Sequence, residues 1–184
     1  MAQGNDQGND RERNVRPLAL SLTVVGAILR LLPHPPNFAP VGGMSLYAGA
    51  RLRGWQAFAV PLLLMAVTDP LRPEGSYSIA TPFVYLSFMI SVWIGRRLQS
   101  TESPLRIGAA CLLCSVQFFL ISNFGTWLGW YSHTWSGLAL CYTQAIPFFG
   151  RTLASDLFYS GVLFGLHAWL SRTVRTAERV PATA

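Results

Sequence analysis

The sequence predicts an all-α membrane protein: a bundle of six transmembrane helices with both termini in the cytoplasm. Half of the chain is apolar and only 12% of it is charged, whereas soluble domains carry about twice that share of charged residues. The apolar residues form six separate stretches, and the mean hydropathy of the chain is +0.34. With 184 residues there is room for one compact helical domain with short connections.

The six stretches are expected at residues 17–32, 38–50, 54–68, 79–95, 105–129 and 152–170. The second is the weakest, because a spanning helix needs about 20 residues and this stretch is shorter and contains Pro40. Taken alone, it is also typical of a re-entrant loop or a buried helix. We therefore expect a six-helix domain at 17–171, preceded by a disordered polar tail at 1–16 and followed by a short basic tail at 172–184.

All fourteen basic residues are arginines, and their positions indicate the orientation of the chain. If all six stretches cross the membrane, eleven arginines lie on the side of the termini, and Arg30, Arg72 and Arg151 lie on the other side. Without the second crossing, the best division is nine to five. Arginine is enriched in short cytoplasmic connections, so the sharper division favours six crossings with both termini inside.

The pI near 9.8 is also compatible with nucleic acid binding. The arginines lie at the ends of the apolar stretches and form no single patch, so we expect lipid headgroups, not nucleic acid, as their partner. A cleaved signal peptide is an alternative for the first stretch. Arg30 and the proline-rich segment 33–36 stand where a small-residue cleavage site would be, which favours an uncleaved helix.

The common catalytic signatures, such as GxSxG, HExxH or a nucleotide-binding loop, are absent from the sequence, and we expect no enzyme activity and no metal site. An intramembrane transferase or hydrolase that uses Asp69, Asp156 or His133 is the enzymatic alternative, and no nucleophile or metal set accompanies these residues. Cys111 and Cys114 form a CxxC in mid-helix and are interpreted as packing residues, whereas Cys141 is expected in an outer connection. The sequence assigns no cofactor.

Polar and aromatic residues collect on the predicted outer side, in three connections. The longest is expected to run from Trp130 to Arg151 without secondary structure, a length that compact domains rarely contain without a function. We predict a ligand site on this side, with nine candidate residues: Arg30, His34, Asn37, Asp69, Asn123, Trp127, Trp130, Tyr142 and Asp156. For the tryptophans, an aromatic belt at the depth of the lipid headgroups is the alternative.

Four of these candidates are polar groups near the ends of apolar stretches, where a charge is costly unless it is paired or hydrated. We expect Arg30, Asp69, Asn123 and Asp156 to converge beneath the outer connections. Asp156 is placed in the first turns of the sixth helix, where the helix dipole favours a carboxylate. The four groups form either a ligand site or an ion-pair network that only fixes helix packing, and the sequence leaves both open.

Two segments carry small residues every four positions, a spacing that lets helix backbones approach closely. They are Ala19, Thr23 and Ala27 in the first helix, and Gly161 and Gly165 in the last. We expect these residues to pack within the bundle. Docking onto a partner membrane protein is the alternative.

Four segments resemble a family of small bacterial membrane proteins: RLLPHPPNFAPVGG at 30–43, PFVYLSF at 82–88, FFLISNFGTWL at 118–128 and CYTQAIPFFGRTLASDLFYSGVLFG at 141–165. That uncharacterised family is described as candidate transport proteins and resembles, more distantly, the six-helix S components of energy-coupling-factor vitamin transporters. The resemblance implies an outward-facing solute cavity. It also implies a partnership with a membrane coupling subunit and ATPases, through small residues of the first helix.

Together these observations predict a bacterial inner-membrane protein that binds a small solute at its outer face for uptake, as a transport subunit or as a solitary carrier. The alternative is an accessory subunit of a larger membrane complex without a ligand of its own. The sequence contains no nucleotide-binding motif, so uptake would take its energy from another subunit or from an ion gradient.

Overall fold

The computed structural model describes residues 17–33, 35–71, 77–99 and 101–177. These residues contain six helices and no strand, which confirms the all-α class. The helices are α1 (Pro17–Leu29), α2 (Val41–Arg51), α3 (Gln56–Thr68), α4 (Thr81–Arg96), α5 (Pro104–Trp130) and α6 (Trp135–Ala177), and a 3₁₀ turn at Asp69–Leu71 extends α3. The tail predicted at 1–16 lies outside the described residues, and α6 continues past the domain boundary predicted at residue 171.

Among the described helices, α5 alone is long and apolar enough to cross a membrane. It contains 27 residues, whereas α2, α3 and α4 contain 11, 13 and 16. At about 1.5 Å per residue, those three are shorter than the roughly 30 Å of a bilayer core. The 43 residues of α6 are long enough but less apolar. By length and composition, the described residues therefore contain one candidate span.

Local chemistry sets several helix boundaries. Pro82 and Pro104 stand in the first turns of α4 and α5, where the N–H that proline lacks has no helical partner anyway. α2 ends where Leu52 turns to extended backbone, and Gly54, with φ of 56°, makes the turn into α3. Asn37, with φ of 61°, shapes the α1–α2 connection in the same left-handed region.

The largest difference from the sequence prediction lies between α5 and α6. The connection expected at 130–151 consists only of residues 131–134, because α6 begins at Trp135. Pro147 removes one backbone hydrogen bond from α6, but the segment before it packs along α5, where the Tyr142 hydroxyl donates to the Leu120 carbonyl at 2.6 Å. Tertiary packing outweighs the proline, and Cys141, expected in a connection, is buried in the helix.

The connections alternate between two ends of the bundle. At one end the Arg51 guanidinium donates to the Thr101 carbonyl at 2.7 Å, and Arg172 pairs with Glu102 at 3.5 Å. Arg96 donates to the α2–α3 connection at 3.3 Å. We call this the arginine end, defined by Arg51, Arg96 and Arg172. The opposite end carries the α1–α2, α3–α4 and α5–α6 connections.

α2 is the central helix, and every residue from 41 to 50 is buried. Glycines bring α2 and α4 close together. A Cβ on Gly49 would collide with the Val92 carbonyl, and a Cβ on Gly95 would collide with the Leu46 carbonyl. The second apolar stretch is short because it forms this enclosed helix, in agreement with the buried-helix interpretation.

The bundle buries many polar side chains beside its hydrophobic core, and many large apolar side chains lie on its exterior. Among the described residues, eight serines are buried, together with Arg30, Asp156 and His167. Large apolar side chains such as Leu113 and Trp169 face outward. Only 33% of the most apolar 18-residue window of α5 is buried inside the protein. In water-soluble helical proteins, the apolar side of each helix faces the core instead.

The two sets of small residues behave differently. Ala19, Thr23 and Ala27 of α1 are buried within the bundle. Gly161 and Gly165 of α6 are exposed, and a Cβ added at either would meet no atom within 4 Å. The α1 residues are therefore placed as expected, whereas Gly161 and Gly165 line a groove between α6 and the first turns of α5 and make no close helix contact there.

Candidate functional site

A cavity of about 680 Å³ surrounds the N-terminus of α2, on the side of the bundle away from the arginine end. Its walls come from the α1–α2 connection and from α2, α4, α5 and α6. The polar lining consists of Arg30, Asn37, Ser91, Thr152, Ser155 and Asp156. The rings of Phe88 and Phe118, with centroids 5.1 Å apart, form an aromatic wall. Ligand sites typically measure about 300–1,000 Å³, so this cavity fits a small organic solute.

The Arg30 guanidinium stands at the end of α1 and is held by groups at the end of α3. It pairs with Asp69 Oδ1 at 2.5 Å and donates to the Thr68 hydroxyl at 3.0 Å. The other Asp69 oxygen accepts a hydrogen bond from the Tyr85 hydroxyl at 2.6 Å, so this network joins α1, α3 and α4. Arg30 lines the cavity and Asp69 does not. Asp69 therefore neutralises Arg30 from behind the cavity wall.

Asp156 is the second charged group of the cavity, and only 4% of its surface is exposed. Its Oδ2 accepts a hydrogen bond from the Ser115 hydroxyl at 2.7 Å, and the carboxylate also accepts one from the backbone N–H of Gly43. Gly43 lies in the first turn of α2, whose own N-cap residue, Pro40, provides no side-chain hydrogen bond. The carboxylate thus occupies the positive end of the α2 dipole.

This arrangement corrects the sequence interpretation of Asp156. The residue does not lie in the first turns of its own helix, because α6 begins at Trp135. The dipole that favours its carboxylate belongs to α2. Gly42 leaves the necessary room, since a Cβ there would collide with the carboxylate. Ser155 secures the same junction by donating to the Ala39 carbonyl at 2.7 Å.

A second cavity, of about 390 Å³, adjoins the first, and Asn37, Val84, Phe118 and Thr152 line both. Asn123 lines only the second cavity, and its Nδ2 donates to a carbonyl one turn earlier in α5, at 2.8 Å. Of the four groups expected to converge, the structure therefore brings two into the first cavity. These two are Arg30 and Asp156. Asp69 lies behind the cavity wall and is joined to the cavity by its ion pair with Arg30, and Asn123 lies in the neighbouring cavity.

The remaining sequence candidates lie elsewhere. Trp127 Nε1 donates to the Ser132 carbonyl at 3.0 Å and so stabilises the α5–α6 connection. Trp130 is 62% exposed, and Tyr142 binds α5 through its hydroxyl. None of these three aromatic residues lines either cavity. His34 lies outside the described residues.

Sequence reasoning missed the aromatic wall and the lining hydroxyls. Phe88 and Phe118 are ordinary members of apolar stretches, and only the helix arrangement turns their rings toward one cavity. Ser91 and Ser155 carried a weak signal, because a hydroxyl in an apolar stretch needs a hydrogen-bond partner. That signal does not indicate which helix face is buried.

Among the residues that the structure describes, no group of three or more His, Cys, Asp or Glu side chains is placed to hold a metal ion. Cys111 and Cys114 are buried free thiols of α5. The cavity lining offers a guanidinium paired with a carboxylate, a second, buried carboxylate and several hydroxyls, groups that can form ion pairs and hydrogen bonds.

A family model described as a family of unknown function, DUF6580, matches residues 11–180. No curated protein and no solved structure matches the chain. The family match covers all six helices, so both cavities are built entirely from the matched region.

Proposed function

The chain belongs to the DUF6580 family, and we propose that it is a multi-pass inner-membrane protein that binds a small solute for uptake. The binding site is the cavity of about 680 Å³ that contains Arg30 and Asp156, and this cavity is the observation that carries the proposal. Charged groups within a membrane are costly, and they usually face a binding site or a water-filled cavity.

Three features support the membrane assignment. The apolar exterior suits lipid, and several buried serines, among them Ser87, Ser115 and Ser122, donate hydrogen bonds inside the bundle, as polar groups in a bilayer tend to do. α5 is long and apolar enough to span. The clustering of Arg51, Arg96 and Arg172 at one end supports a cytoplasmic arginine end. In this orientation the cavity faces the outside of the cell.

The chain contributes binding and orientation in this account, and the energy for uptake comes from elsewhere. The sequence contains no nucleotide-binding motif, so a membrane coupling subunit with ATPases or an ion gradient would drive transport. The ion pair of Arg30 and Asp69 fixes the cavity wall and leaves the net charge of that wall unchanged.

A matched pair of α4 variants tests the proposal. Val84 is partly buried and lines both cavities, whereas Leu86 on the same helix faces outward. In Val84→Trp the indole fills the cavity, and in Leu86→Trp the same side chain enters the surroundings. After gentle detergent purification, mass spectrometry should detect a bound small molecule in the wild type and Leu86→Trp, and none in Val84→Trp. Equal retention by both variants, or no bound molecule in any, would contradict solute binding in this cavity.

An accessory subunit of a larger membrane complex is the second candidate, and the exposed glycines of α6 favour it. Gly161 and Gly165 are exposed in the groove between α6 and the first turns of α5, and the missing side chains leave room there for a helix of a partner protein. Under this function, Gly161→Ile releases co-purifying membrane proteins. Val84→Trp then still co-purifies with those proteins, and cells that carry it keep the wild-type phenotype. Under solute uptake, Val84→Trp abolishes uptake whether or not a partner is bound.

A further inference from the structure

We propose that the solute carries a positively charged ammonium group, which binds Asp156. This inference rests on the proposed function and specifies the chemical class of the solute. Four observations lead to it: the charge of the cavity, the surroundings of Asp156, the direction of the lining hydroxyl groups, and the aromatic wall.

The described part of the cavity lining holds one acidic group without a cationic partner. Among the described residues, the charged groups of the lining are Arg30 and Asp156. Arg30 is already paired with Asp69, so when all three groups are ionised they sum to one negative charge, on Asp156. Among the described residues, no arginine pairs with Asp156. An anionic solute would therefore be repelled, whereas a cation would compensate the carboxylate.

Asp156 is buried, and its charge is only partly compensated. The Ser115 hydroxyl and the Gly43 N–H each donate one hydrogen bond to the carboxylate. A carboxylate has about four lone-pair sites, so acceptor capacity remains. The group is 96% buried and lines the cavity, and a bound ammonium would both pair with it and use this capacity.

The lining hydroxyls offer acceptors to a solute, because each has donated its proton elsewhere. Ser155 donates to the Ala39 carbonyl at 2.7 Å, Ser91 donates to the Ser87 carbonyl at 3.1 Å, and Thr152 donates to a carbonyl one turn earlier, at 3.1 Å. Ser91 also accepts a hydrogen bond from the Gln117 amide nitrogen at 3.0 Å, which leaves its oxygen one lone pair. Among the lining residues that the structure describes, these three are the ones with a hydroxyl. The lone pairs that remain suit a solute rich in donors, as an ammonium is.

The rest of the cavity selects an organic cation over a bare metal ion. The described residues hold no metal-binding group of His, Cys, Asp and Glu side chains. The cavity volume of about 680 Å³ is many times that of one ion, and the rings of Phe88 and Phe118 provide an apolar wall that also attracts cations. An amine with an apolar body fits this lining.

Three probes that share a phenylethyl group and differ in the polar group attached to it test the inference on the purified full-length protein: 2-phenylethylammonium, 2-phenylethanol and 3-phenylpropionate. Equilibrium dialysis measures their affinities, with Val84→Trp as the blank for partition into detergent. We expect the ammonium to bind about tenfold or more tightly than the alcohol, the difference expected for a charge-assisted hydrogen bond, and the carboxylate to bind weakest.

The variant Asp156→Asn removes the charge and keeps the shape. Its amide oxygen still accepts from Gly43, and the Ser115 hydroxyl can turn to accept from the amide nitrogen. We expect it to lose the preference for the ammonium and to bind the alcohol as the wild type does. Glu102→Gln removes one negative charge at the arginine end, where Glu102 is 55% exposed, and should leave all three affinities unchanged.

The outcomes separate this inference from the proposed function. Equal, saturable binding of all three probes, or a preference for the carboxylate, would overturn the cationic solute and leave the cavity as a binding site. Absence of saturable binding, together with no co-purifying small molecule, would overturn both. If Asp156→Asn fails to fold, the selectivity of the wild type for the three probes decides alone.

Discussion

Removing one partner of the Arg30–Asp69 pair should destabilise the bundle more than removing both. The Asp69 carboxylate has two described contacts, the ion pair with Arg30 and the hydrogen bond from the Tyr85 hydroxyl. In Arg30→Met the ion pair is lost and the hydrogen bond from Tyr85 remains. Breaking a buried pair costs about 3–5 kcal/mol. We expect about 3 kcal/mol, because Asp69 retains 18% exposure. At about 2–4 °C per kcal/mol for a chain of this size, Tm should fall by about 6–12 °C.

The double variant Arg30→Met/Asp69→Leu should recover most of this loss, since an apolar replacement of a buried pair is often neutral. Tryptophan fluorescence during heating in detergent measures all Tm values. Arg172→Met serves as the control: its pair with Glu102 is 74% and 55% exposed, so it should change stability by about 1 kcal/mol or less. A single variant that unfolds at the wild-type temperature, or a double variant less stable than both singles, would refute the reasoning.

The same double variant separates a ligand site from a structural network. If it folds like the wild type and no longer binds the solute, Arg30 contacts the solute. If it folds and binds as before, the pair only fixes the packing of α1 against α3. Either result is measured by mass spectrometry of the co-purified molecule.

Three further predictions concern the packing around α2 and the thiols. Gly42→Ala should lower stability by about 1–3 kcal/mol because its Cβ meets the Asp156 carboxylate, whereas Gly161→Ala should be neutral or stabilising, and equal Tm values would contradict the contact. Tyr47→Phe should cost about 1–3 kcal/mol, because the Tyr47 hydroxyl and His167 Nδ1 lie 2.7 Å apart in the core, and an unchanged unfolding temperature would refute that bond. Cys111, Cys114 and Cys141 should resist a membrane-permeant maleimide until the protein unfolds, and labelling of the folded protein would contradict their burial.

The sequence predicted the number and order of the helices because hydrophobic stretches separated by polar residues are visible without tertiary information. It did not predict the first half of α6. The segment from 135 to 150 contains Gly137, Pro147 and Gly150, which are typical of a connection. Its helical state depends on contacts with α5, such as the bond from Tyr142 to Leu120.

The candidate site was predicted in part for a similar reason. Arg30 and Asp156 stood out because charges are rare in apolar stretches, and both line the cavity. Trp127 and Trp130 stood out as aromatics near a helix end, but their side chains serve the α5–α6 connection and the surface. The location of Asp156 at the N-terminus of α2 depends on a contact between distant segments, which no local pattern records.

The orientation of the two ends of the bundle is the central claim, and cysteine accessibility in intact cells tests it directly. Gln99→Cys lies in the α4–α5 connection at the arginine end, and His133→Cys lies in the α5–α6 connection at the opposite end, both at exposed positions. Each is introduced singly after Cys111, Cys114 and Cys141 are replaced by alanine. A membrane-impermeant maleimide should label His133→Cys from outside and Gln99→Cys only after permeabilisation. Labelling of Gln99→Cys in intact cells, with His133→Cys protected, would place the cavity on the cytoplasmic side and contradict uptake from its outer face.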